Sequence, residues 1–205
     1  MEYLDIYDET GTHLGKEERK IVHQKGLWHK TIHCWLYDNK GNIYFQIRKD
    51  ENKLYTTSSG HVTAGETIEE AFDREVKEEI GIDTSRLLKE QIETVYFRMD
   101  RVRNGEAFID RAFANIFICK IDLDVSELKF DISEVEGLAK VNAKEVFDLL
   151  RHEFGSVKGT IIKTINSKIT EHAKEFSFDD FLINNGERGI SKYGFVLERI
   201  MLRNI

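Results

Sequence analysis

Residues 60–82, with the sequence GHVTAGETIEEAFDREVKEEIGI, contain the clearest helix pattern in the chain. Apolar residues recur there every four positions, which is the spacing of one face of an α-helix. These residues are Phe72, Val76 and Ile80. The pattern predicts a helix over 68–80 with this face toward a core. Thr67 and Glu70 form the predicted capping box at its start, and Gly81 supplies the stop at its end.

The polar side of this predicted helix carries three glutamates at spacing i, i+3, i+4. They are Glu75, Glu78 and Glu79. In a helix of about 3.6 residues per turn, all three project from one side, where their like charges repel. A fold tolerates such a stripe when water solvates it or when a divalent cation neutralises it. The spacing alone leaves both interpretations open.

The residues around the glutamates match a longer pattern. It reads G-x5-E-x7-R-E-U-x-E-E-x-G-U, where U is aliphatic, and residues 60–82 agree with it at every fixed position. This pattern is the Nudix box, so the chain resembles the Nudix hydrolases. The resemblance implies a mixed β-sheet flanked by helices. It also implies cleavage of a diphosphate bond, by attack of water on phosphorus, in a nucleoside diphosphate or a nucleoside diphosphate linked to a further group.

The same resemblance implies a cofactor, Mg²⁺ or Mn²⁺. Carried over by position, Glu75, Glu78 and Glu79 are metal ligands, and the carbonyl of Gly60 is a further ligand. Hard cations bind carboxylate oxygens and substrate phosphate together, and the ions offset phosphate charge and activate water. Bound metal would therefore let a chain of net charge −7 hold an acidic substrate.

Three catalytic roles also follow from the resemblance. Glu78 is the expected general base, although the choice among the glutamates stays open. Glu75 is expected to act beside it, and Arg74 to orient the glutamates through a salt bridge. Glu66 either binds metal through water or holds the loop by hydrogen bonds, and the sequence does not decide between the two.

A wider resemblance, over roughly residues 3–150, connects the chain with the branch of the isopentenyl-diphosphate isomerases. These isomerases place a metal-binding histidine just before the first long strand, where this chain has His29. They also have a Gly-His pair at the start of the box, which is matched here by Gly60 and His61. The resemblance therefore implies that both histidines belong to the site.

Two departures separate the chain from the isomerases. Their catalytic cysteine, immediately before the Gly-His pair, is replaced by Ser59, and their second acid–base glutamate aligns with Ala112. Serine is a far weaker acid than cysteine and alanine carries no proton, so diphosphate hydrolysis is favoured over isomerisation. Isomerisation and a catalytically idle nucleotide-binding module are the two alternatives.

Five residues are candidates for substrate binding. His29 and His61 follow from the isomerase resemblance, and Glu66 follows from the box. Arg48 ends a predicted strand that approaches the diphosphate in Nudix proteins. Glu134 precedes a strand-like segment, in a region where a glutamate of this family can lie over the metals.

The remaining sequence predicts strands before and after the box helix. The predicted strands are 3–8, 30–37, 42–49, 91–98 and 108–119, and the later helices are 143–152, 157–175 and 190–203. This order is typical of an α+β fold, a mixed α/β sandwich, rather than of a regular βαβ repeat. We expect a Nudix domain at 1–155 and a C-terminal helical extension at 156–205 packed on it. A lid or a homodimer contact formed by the extension is an open alternative.

The composition of the chain limits the binding partners and the cellular compartment that we expect for it. The chain has 205 residues, with 37 acidic and 30 basic side chains. This excess of negative charge disfavours binding to the phosphate backbone of a nucleic acid. The expected partner is a small-molecule diphosphate substrate. No apolar run approaches the roughly 20 residues of a membrane helix, and the acidic start MEYLDIYDE is unlike a secretory or mitochondrial signal. Cys34 and Cys119 lie in apolar stretches as expected buried thiols, which fits a cytoplasmic protein.

Overall fold

The computed structural model describes the 205-residue chain except residues 50, 51, 104, 123, 132, 153, 154, 167, 183–193, 204 and 205. The described residues form eleven β-strands and four α-helices, which confirms the α+β class. The strands are β1 (Tyr3–Tyr7), β2 (His13–Glu18), β3 (Trp28–Tyr37), β4 (Asn42–Arg48), β5 (Leu54–Tyr55), β6 (Ser58–His61), β7 (Leu88–Arg103), β8 (Glu106–Lys120), β9 (Val135–Asn142), β10 (Ser156–Ile165) and β11 (Lys168–Ser177). The helices are α1 (Arg19–Lys25), α2 (Ile68–Ile80), α3 (Ala143–His152) and α4 (Gly194–Leu202). Across the described residues, no helix has the length and apolar character needed to cross a membrane.

Helix α2 has the predicted bounds and the predicted caps. The backbone N–H of Glu70 donates to the Thr67 hydroxyl at 3.2 Å, and the backbone N–H of Thr67 donates to the Glu70 carboxylate at 2.8 Å. Gly81 follows the helix with φ +74°, a left-handed conformation that glycine adopts readily. The fully buried residues of the apolar face are Phe72, Val76 and Ile80. These contacts fix the start of the helix and therefore the direction of its polar side.

The chain divides into two compact units. The first unit consists of Met1–His33, Ser59–Glu75 and Gln91–Phe117. In its sheet, β1 pairs antiparallel with β2 and also pairs with β3, while β8 pairs with β3 and β7. Strand β6 pairs with β3. The segment that leads into α2 therefore begins as a strand of this sheet.

The loop between β6 and α2 is hydrogen-bonded to the sheet of the first unit. The N–H of Val62 donates to the carbonyl of Lys30 at 3.0 Å, and the N–H of Ala64 donates to the carbonyl of Tyr3 at 2.8 Å. Strands β3 and β1 therefore hold the backbone on which the first residues of the box lie.

The second unit consists of Cys34–Ser58, Val76–Glu90 and the described part of Ile118–Ile205. Its strands are antiparallel neighbours in the order β11-β10-β9-β4-β3, with β5 beside β4. Aromatic residues form much of its core, and the rings of Phe45 and Phe181 lie edge to face with centroids 5.2 Å apart.

The two cysteines are buried in this unit, as predicted. Cys34 and Cys119 have no exposed surface, and their Sγ atoms are 3.8 Å apart as free thiols. They therefore pack as small apolar side chains.

The predicted helix over 157–175 is wrong, because this stretch forms the antiparallel hairpin of β10 and β11. Strand β10 is rich in isoleucine and threonine, which lose side-chain freedom in a helix and pack well on a pleated sheet. It also pairs with β9, where Ile162 lies opposite Leu138. The segment predicted as a C-terminal helical extension therefore contains the hairpin of β10 and β11 as well as α4, and is not helical throughout. The helix predicted over 190–203 is confirmed at Gly194–Leu202, and residues 190–193 lie outside the described residues.

Candidate active site and histidine cluster

Arg74, on α2, connects the helix to the loop that precedes it. Its Nε and Nη2 donate to the two carboxylate oxygens of Glu66, each at 2.9 Å. Nη2 also donates to the backbone carbonyl of His61 at 2.9 Å, and Nη1 donates to Glu75 at 2.6 Å. Hydrogen bonds to Glu66 and then Glu75 raise the pKa of Arg74 above its ordinary value. Arg74 thus makes the salt bridge on which its predicted orienting role depends.

Glu66 is surrounded by hydrogen-bond donors of the loop. Besides the two bonds from Arg74, it accepts from the N–H and the hydroxyl of Thr63 at 2.9 and 2.8 Å. Burial by itself raises the pKa of Glu66, but the hydrogen bonds from Arg74 and Thr63 outweigh it and lower the pKa. Of the two roles that the sequence left open, these four bonds favour holding the loop.

Gly60 lies so close to Glu75 that any side chain at position 60 would displace the Glu75 carboxylate. A Cβ atom at position 60 would overlap the carboxylate of Glu75. The half-buried carboxylate is therefore held between the backbone of Gly60 and the guanidinium of Arg74. This contact brings together two of the predicted metal ligands, both in the first unit.

Glu78 and Glu79 follow Glu75 on α2 by three and four residues and belong to the second unit. Glu78 is exposed, whereas only 6% of Glu79 is accessible. The three predicted carboxylate ligands therefore differ in depth: Glu78 reaches solvent, Glu75 is half-buried and Glu79 is buried.

Three histidines of the first unit form a cluster, together with one carboxylate. The potential ligand atoms of His23, His29 and His61 all lie within 4.8 Å of one another. The Nε2 atoms of His23 and His61 are 3.2 Å apart, and His29 Nε2 is 3.5 Å from the carboxylate of Asp110. The four residues come from α1, β3, β6 and β8. We call these four residues the histidine cluster.

Backbone hydrogen bonds determine how two of the rings face the cluster. His23 Nδ1 lies 2.8 Å from the carbonyl of Arg19, and His29 Nδ1 lies 3.1 Å from the carbonyl of Leu27. A carbonyl oxygen only accepts, so both Nδ1 atoms carry a proton and each Nε2 of a neutral ring holds a lone pair. Among the described residues, the buried His29 Nε2 has no hydrogen-bond partner, and it faces the carboxylate of Asp110. A cation would stabilise two such acceptors that face each other.

Burial keeps the imidazole rings of the cluster neutral. It lowers the pKa of His29 to about 4, and it also lowers the pKa of His23 and, more strongly, that of His61. The neutral imidazole is the form that binds metal ions. Imidazole nitrogens combined with a carboxylate are the ligand set of borderline divalent ions such as Zn²⁺. The residues of the cluster therefore fit an ion of that class.

The sequence indicates only half of this cluster. His29 and His61 are candidates there, as substrate-binding residues, while His23 and Asp110 are missed. Helix α1, which carries His23, has only seven residues and no clear apolar period. Asp110 lies between Ile109 and Arg111 on a strand, where a carboxylate gives no signal of its own.

Arg48 and Glu134, the other predicted substrate contacts, are neighbours in the second unit. Arg48 on β4 pairs with Val135 on β9, and the N–H of Lys49 donates to the carbonyl of Glu134 at 3.3 Å. The Arg48 guanidinium lies 5.8 Å from the ring centroid of Tyr55, and the Glu134 side chain is exposed. Two residues of opposite charge thus lie on the backbone at the same end of the β4–β9 pair.

Comparisons with known proteins identify the family. The NUDIX domain family matches residues 27–164. An uncharacterised Nudix hydrolase of Clostridium acetobutylicum is 31% identical over 212 residues, which cover 98% of this chain and 96% of the relative. Isopentenyl-diphosphate Delta-isomerase 2 of Photorhabdus laumondii is 28% identical over 156 residues, which cover 74% of this chain and 83% of the relative. The crystal structure of a Deinococcus radiodurans protein has the same fold, with a TM-score of 0.59, 16% identity and coverage of 97% of this chain and 99% of that protein. The chain is therefore a member of the Nudix family.

Proposed function

We propose that this chain is a metal-dependent hydrolase. It cleaves a diphosphate bond in a nucleoside diphosphate or in a nucleoside diphosphate linked to a further group. The observation that carries the proposal is the Glu75 carboxylate, held between the Gly60 backbone and the Arg74 guanidinium. A module that only bound a nucleotide would not need a carboxylate fixed in this way.

The box residues supply the catalytic groups. Glu75, Glu78, Glu79 and the Gly60 carbonyl would hold Mg²⁺ or Mn²⁺, which offsets phosphate charge and activates water when bound. Glu78 is the proposed general base, because an exposed carboxylate can take a proton from water and return it to solvent. Arg74 is the positioning residue for Glu75.

The remaining candidates divide into substrate contacts and positioning residues. The guanidinium of Arg48 suits phosphate oxygens, which it can bind with two parallel hydrogen bonds, and Glu134 lies beside it. Glu66 is proposed to hold the loop, since its hydrogen bonds already come from that loop and from α2. His29 has no exposed surface, which favours a role within the histidine cluster over direct contact with substrate.

Isomerisation of an isoprenoid diphosphate is the second candidate function. One observation favours it: the histidine cluster includes His29 and His61, the positions that the isomerase resemblance marks. Against it, the position of the isomerase cysteine is Ser59, and the aligned acid–base position is the buried Ala112, 1% exposed. Neither side chain can exchange a proton as a thiol or a carboxylate does.

Release of inorganic phosphate or of a phosphate monoester from a substrate panel distinguishes these functions. The panel contains nucleoside diphosphates, nucleotide sugars, dinucleotides and isopentenyl diphosphate, each with Mg²⁺ or Mn²⁺. The variants are Glu78→Gln and, as a control on the same helix, Glu69→Gln. We expect metal-dependent release with the wild type and Glu69→Gln, and a loss of at least ~100-fold with Glu78→Gln, equivalent to about 2.7 kcal/mol of barrier lowering.

Two results would overturn the proposal. Conversion of isopentenyl diphosphate to its isomer, without cleavage of the diphosphate bond in any compound, would assign the chain to the isomerases. Tight nucleotide binding with no turnover of any compound would assign it to the idle binding modules.

A further inference from the structure

Two buried polar side chains of the second unit have no hydrogen-bond partner among the described residues. Gln46, on β4, is only 3% exposed, and its Nε2 atom is unpartnered. The hydroxyl of Ser58, at the start of β6, is buried and unpartnered as well. Thr56 connects the two residues, because its carbonyl accepts from the N–H of Gln46 at 3.4 Å and its hydroxyl donates to the carbonyl of Ser58 at 3.3 Å. Buried polar groups are almost always hydrogen-bonded in native proteins, so a bound ligand would account for both.

Gln46 lies on the same face of β4 as Arg48, the proposed phosphate contact. Side chains at positions i and i+2 of a strand point to the same face and lie about 7 Å apart. Gln46 pairs with Tyr55 on β5, and the Arg48 guanidinium lies 5.8 Å from the centroid of the Tyr55 ring. On the other neighbouring strand Gln46 pairs with Leu138, whose side chain offers no hydrogen-bond acceptor. The Gln46 amide therefore lies one strand step away from the phosphate contact, on a shared surface.

Backbone hydrogen bonds connect this end of β4 with the end of α2. The N–H of Lys49 donates to the carbonyl of Glu134 at 3.3 Å, and the N–H of Glu134 donates to the carbonyl of Asp131 at 3.1 Å. The N–H of Asp131 donates in turn to the carbonyl of Glu79 at 3.1 Å. All of these residues belong to the second unit, as Gln46 does. Three hydrogen bonds thus connect the residue after the phosphate contact with a proposed metal ligand.

We propose that the carboxamide of Gln46 binds a hydroxyl of a sugar that is esterified to the diphosphate, with the Ser58 hydroxyl as a further contact to the same sugar. This inference rests on the proposed function and narrows its substrate class. The substrate is a sugar-linked diphosphate, in which the sugar is either the ribose of the nucleoside or a further sugar beyond the diphosphate.

The hydrogen-bonding capacity of the two side chains fits a sugar. The amide nitrogen of Gln46 offers two donors, and the hydroxyl of Ser58 donates or accepts. A sugar hydroxyl contains both an acceptor oxygen and a donor, so it can satisfy both groups. An isoprenoid chain contains neither and would leave the amide buried without a partner. Sites that hydrogen-bond a substrate group reject analogues that lack the group far more strongly than apolar pockets reject a change in size.

The test compares compounds with forms that lack one hydroxyl. The probes are ADP with its 2′-deoxy and 3′-deoxy forms, UDP-glucose with UDP-2-deoxyglucose, and isopentenyl diphosphate, each with Mg²⁺. The variant Gln46→Met retains the length of the side chain and removes the amide. The matched control is Gln91→Met, because Gln91 is an exposed strand glutamine whose amide donates to Asn115 at 3.1 Å. We measure kcat and KM for every probe, and calorimetry measures the binding of analogues with a methylene group in place of the scissile oxygen.

We expect the wild type to favour the hydroxylated member of one pair by at least ~100-fold in kcat/KM. Gln46→Met should lose this preference, because kcat/KM falls for the hydroxylated compound and stays within about threefold for the deoxy form. Gln91→Met should retain the preference. In the absence of ligand, the urea midpoint of Gln46→Met should be no lower than that of the wild type, because the substitution removes no hydrogen bond of the amide. The pair that responds identifies the sugar: ADP reports the ribose, and UDP-glucose reports the further sugar.

Three results would overturn the inference. They are an equal loss for both members of every pair in Gln46→Met, no loss for any compound, and a preference of the wild type for isopentenyl diphosphate. The second result would assign a buried water as the partner of the amide. If Gln46→Met does not fold, Ser58→Ala is used for the same comparison, and a wild type without a preference in any pair overturns the inference by itself.

Failure of the proposed function gives a different result. In that case the methylene analogues still bind to the wild type with a preference for the hydroxylated sugar, and Gln46→Met loses this preference, while no compound of the panel is hydrolysed. Absence of both turnover and binding with every sugar compound would overturn the inference as well.

Discussion

The carboxylates around Arg74 and the histidine cluster share the Gly60–His61 segment, yet they are stabilised in different ways. Around Arg74 the groups are charged, and the guanidinium pairs with Glu66 and Glu75 at 2.6–2.9 Å. In the cluster the rings are neutral, because burial lowers the pKa of each histidine. One short segment of backbone thus connects two sets of potential metal ligands. The carboxylate oxygens suit a hard cation such as Mg²⁺, and the imidazole nitrogens suit a borderline cation such as Zn²⁺. Changes that affect one region and spare the other test whether the two are distinct.

The largest effect is expected from Gly60→Ala, which disturbs the carboxylate side. The added methyl group overlaps the Glu75 carboxylate, so the carboxylate or the backbone has to move. We expect hydrolysis to fall at least ~100-fold, a loss of about 2.7 kcal/mol of barrier lowering. Steady-state kinetics with Mg²⁺ measure it. Gly65→Ala is the control for backbone strain in the same loop: φ is +83° there, so alanine is strained, but its Cβ meets nothing within 4 Å and leaves the Glu75 carboxylate untouched. Near wild-type turnover of Gly60→Ala would refute the contact.

A second effect belongs to the cluster and appears as a dependence of stability on pH. The pKa of His29 is about 4 in the folded chain against 6.5 as its ordinary value, so the unfolded chain binds more protons between these values. The free energy of unfolding should therefore fall as pH is lowered from 6.5 to 4, by about 3 kcal/mol from His29.

Urea unfolding at several pH values in this window measures the effect, and His29→Gln should reduce the slope, while His23 and His61, whose pKa values burial also lowers, supply the remainder. The carboxylates around Arg74 affect the free energy of unfolding at lower pH than the histidines do. Because the pKa of Glu66 is below its ordinary 4.5 in the folded chain, its contribution is present above that value and is lost as pH falls further. A slope between pH 6.5 and 5 that is unchanged in His29→Gln would assign the whole effect to other groups.

Arg74→Lys should give a smaller loss of stability, and it affects the carboxylates around Arg74 rather than the histidine cluster. Lysine keeps the charge but cannot bind both oxygens of Glu66 and also reach His61 and Glu75. We expect the free energy of unfolding to drop by about 2 kcal/mol, less than for a fully buried pair because the Arg74 side chain is 30% exposed. Chemical denaturation measures the drop. An unchanged stability would show that the charge alone suffices.

The smallest effect is expected from Thr67→Ala, which weakens α2 and touches neither region directly. Loss of an N-cap side chain costs about 1 kcal/mol. Because Thr67 and Glu70 cap each other, the double variant with Glu70→Ala should lose less than the sum of the two single losses. A double-mutant cycle by thermal unfolding checks this, and strict additivity would argue against the reciprocal cap.

The two regions also differ in how far the sequence predicts them. Helix α2, its caps and the residues of the box follow from spacing along one continuous segment, and the structure confirms the helix from Ile68 to Ile80. The histidine cluster is assembled from four separate elements, so no local spacing indicates that His23 and Asp110 meet His29.

The mistaken helix at 157–175 has a related cause. Whether its isoleucines lie on a helix or on a strand is decided by pairing with β9 and β11, and this pairing is a non-local interaction that a sequence window does not contain. Local signals thus predicted the glutamate helix, whereas tertiary contacts determine the hairpin and the cluster.

The most direct test of hydrolysis by the box is isotope incorporation from H₂¹⁸O. The panel compound that turns over is incubated with the wild type, Mg²⁺ and labelled water, and the products are examined by ³¹P NMR. Water attack on phosphorus predicts one ¹⁸O in a phosphate-containing product, with no label transferred by Glu78→Gln on the same timescale. Turnover without ¹⁸O in any phosphate group would contradict the account.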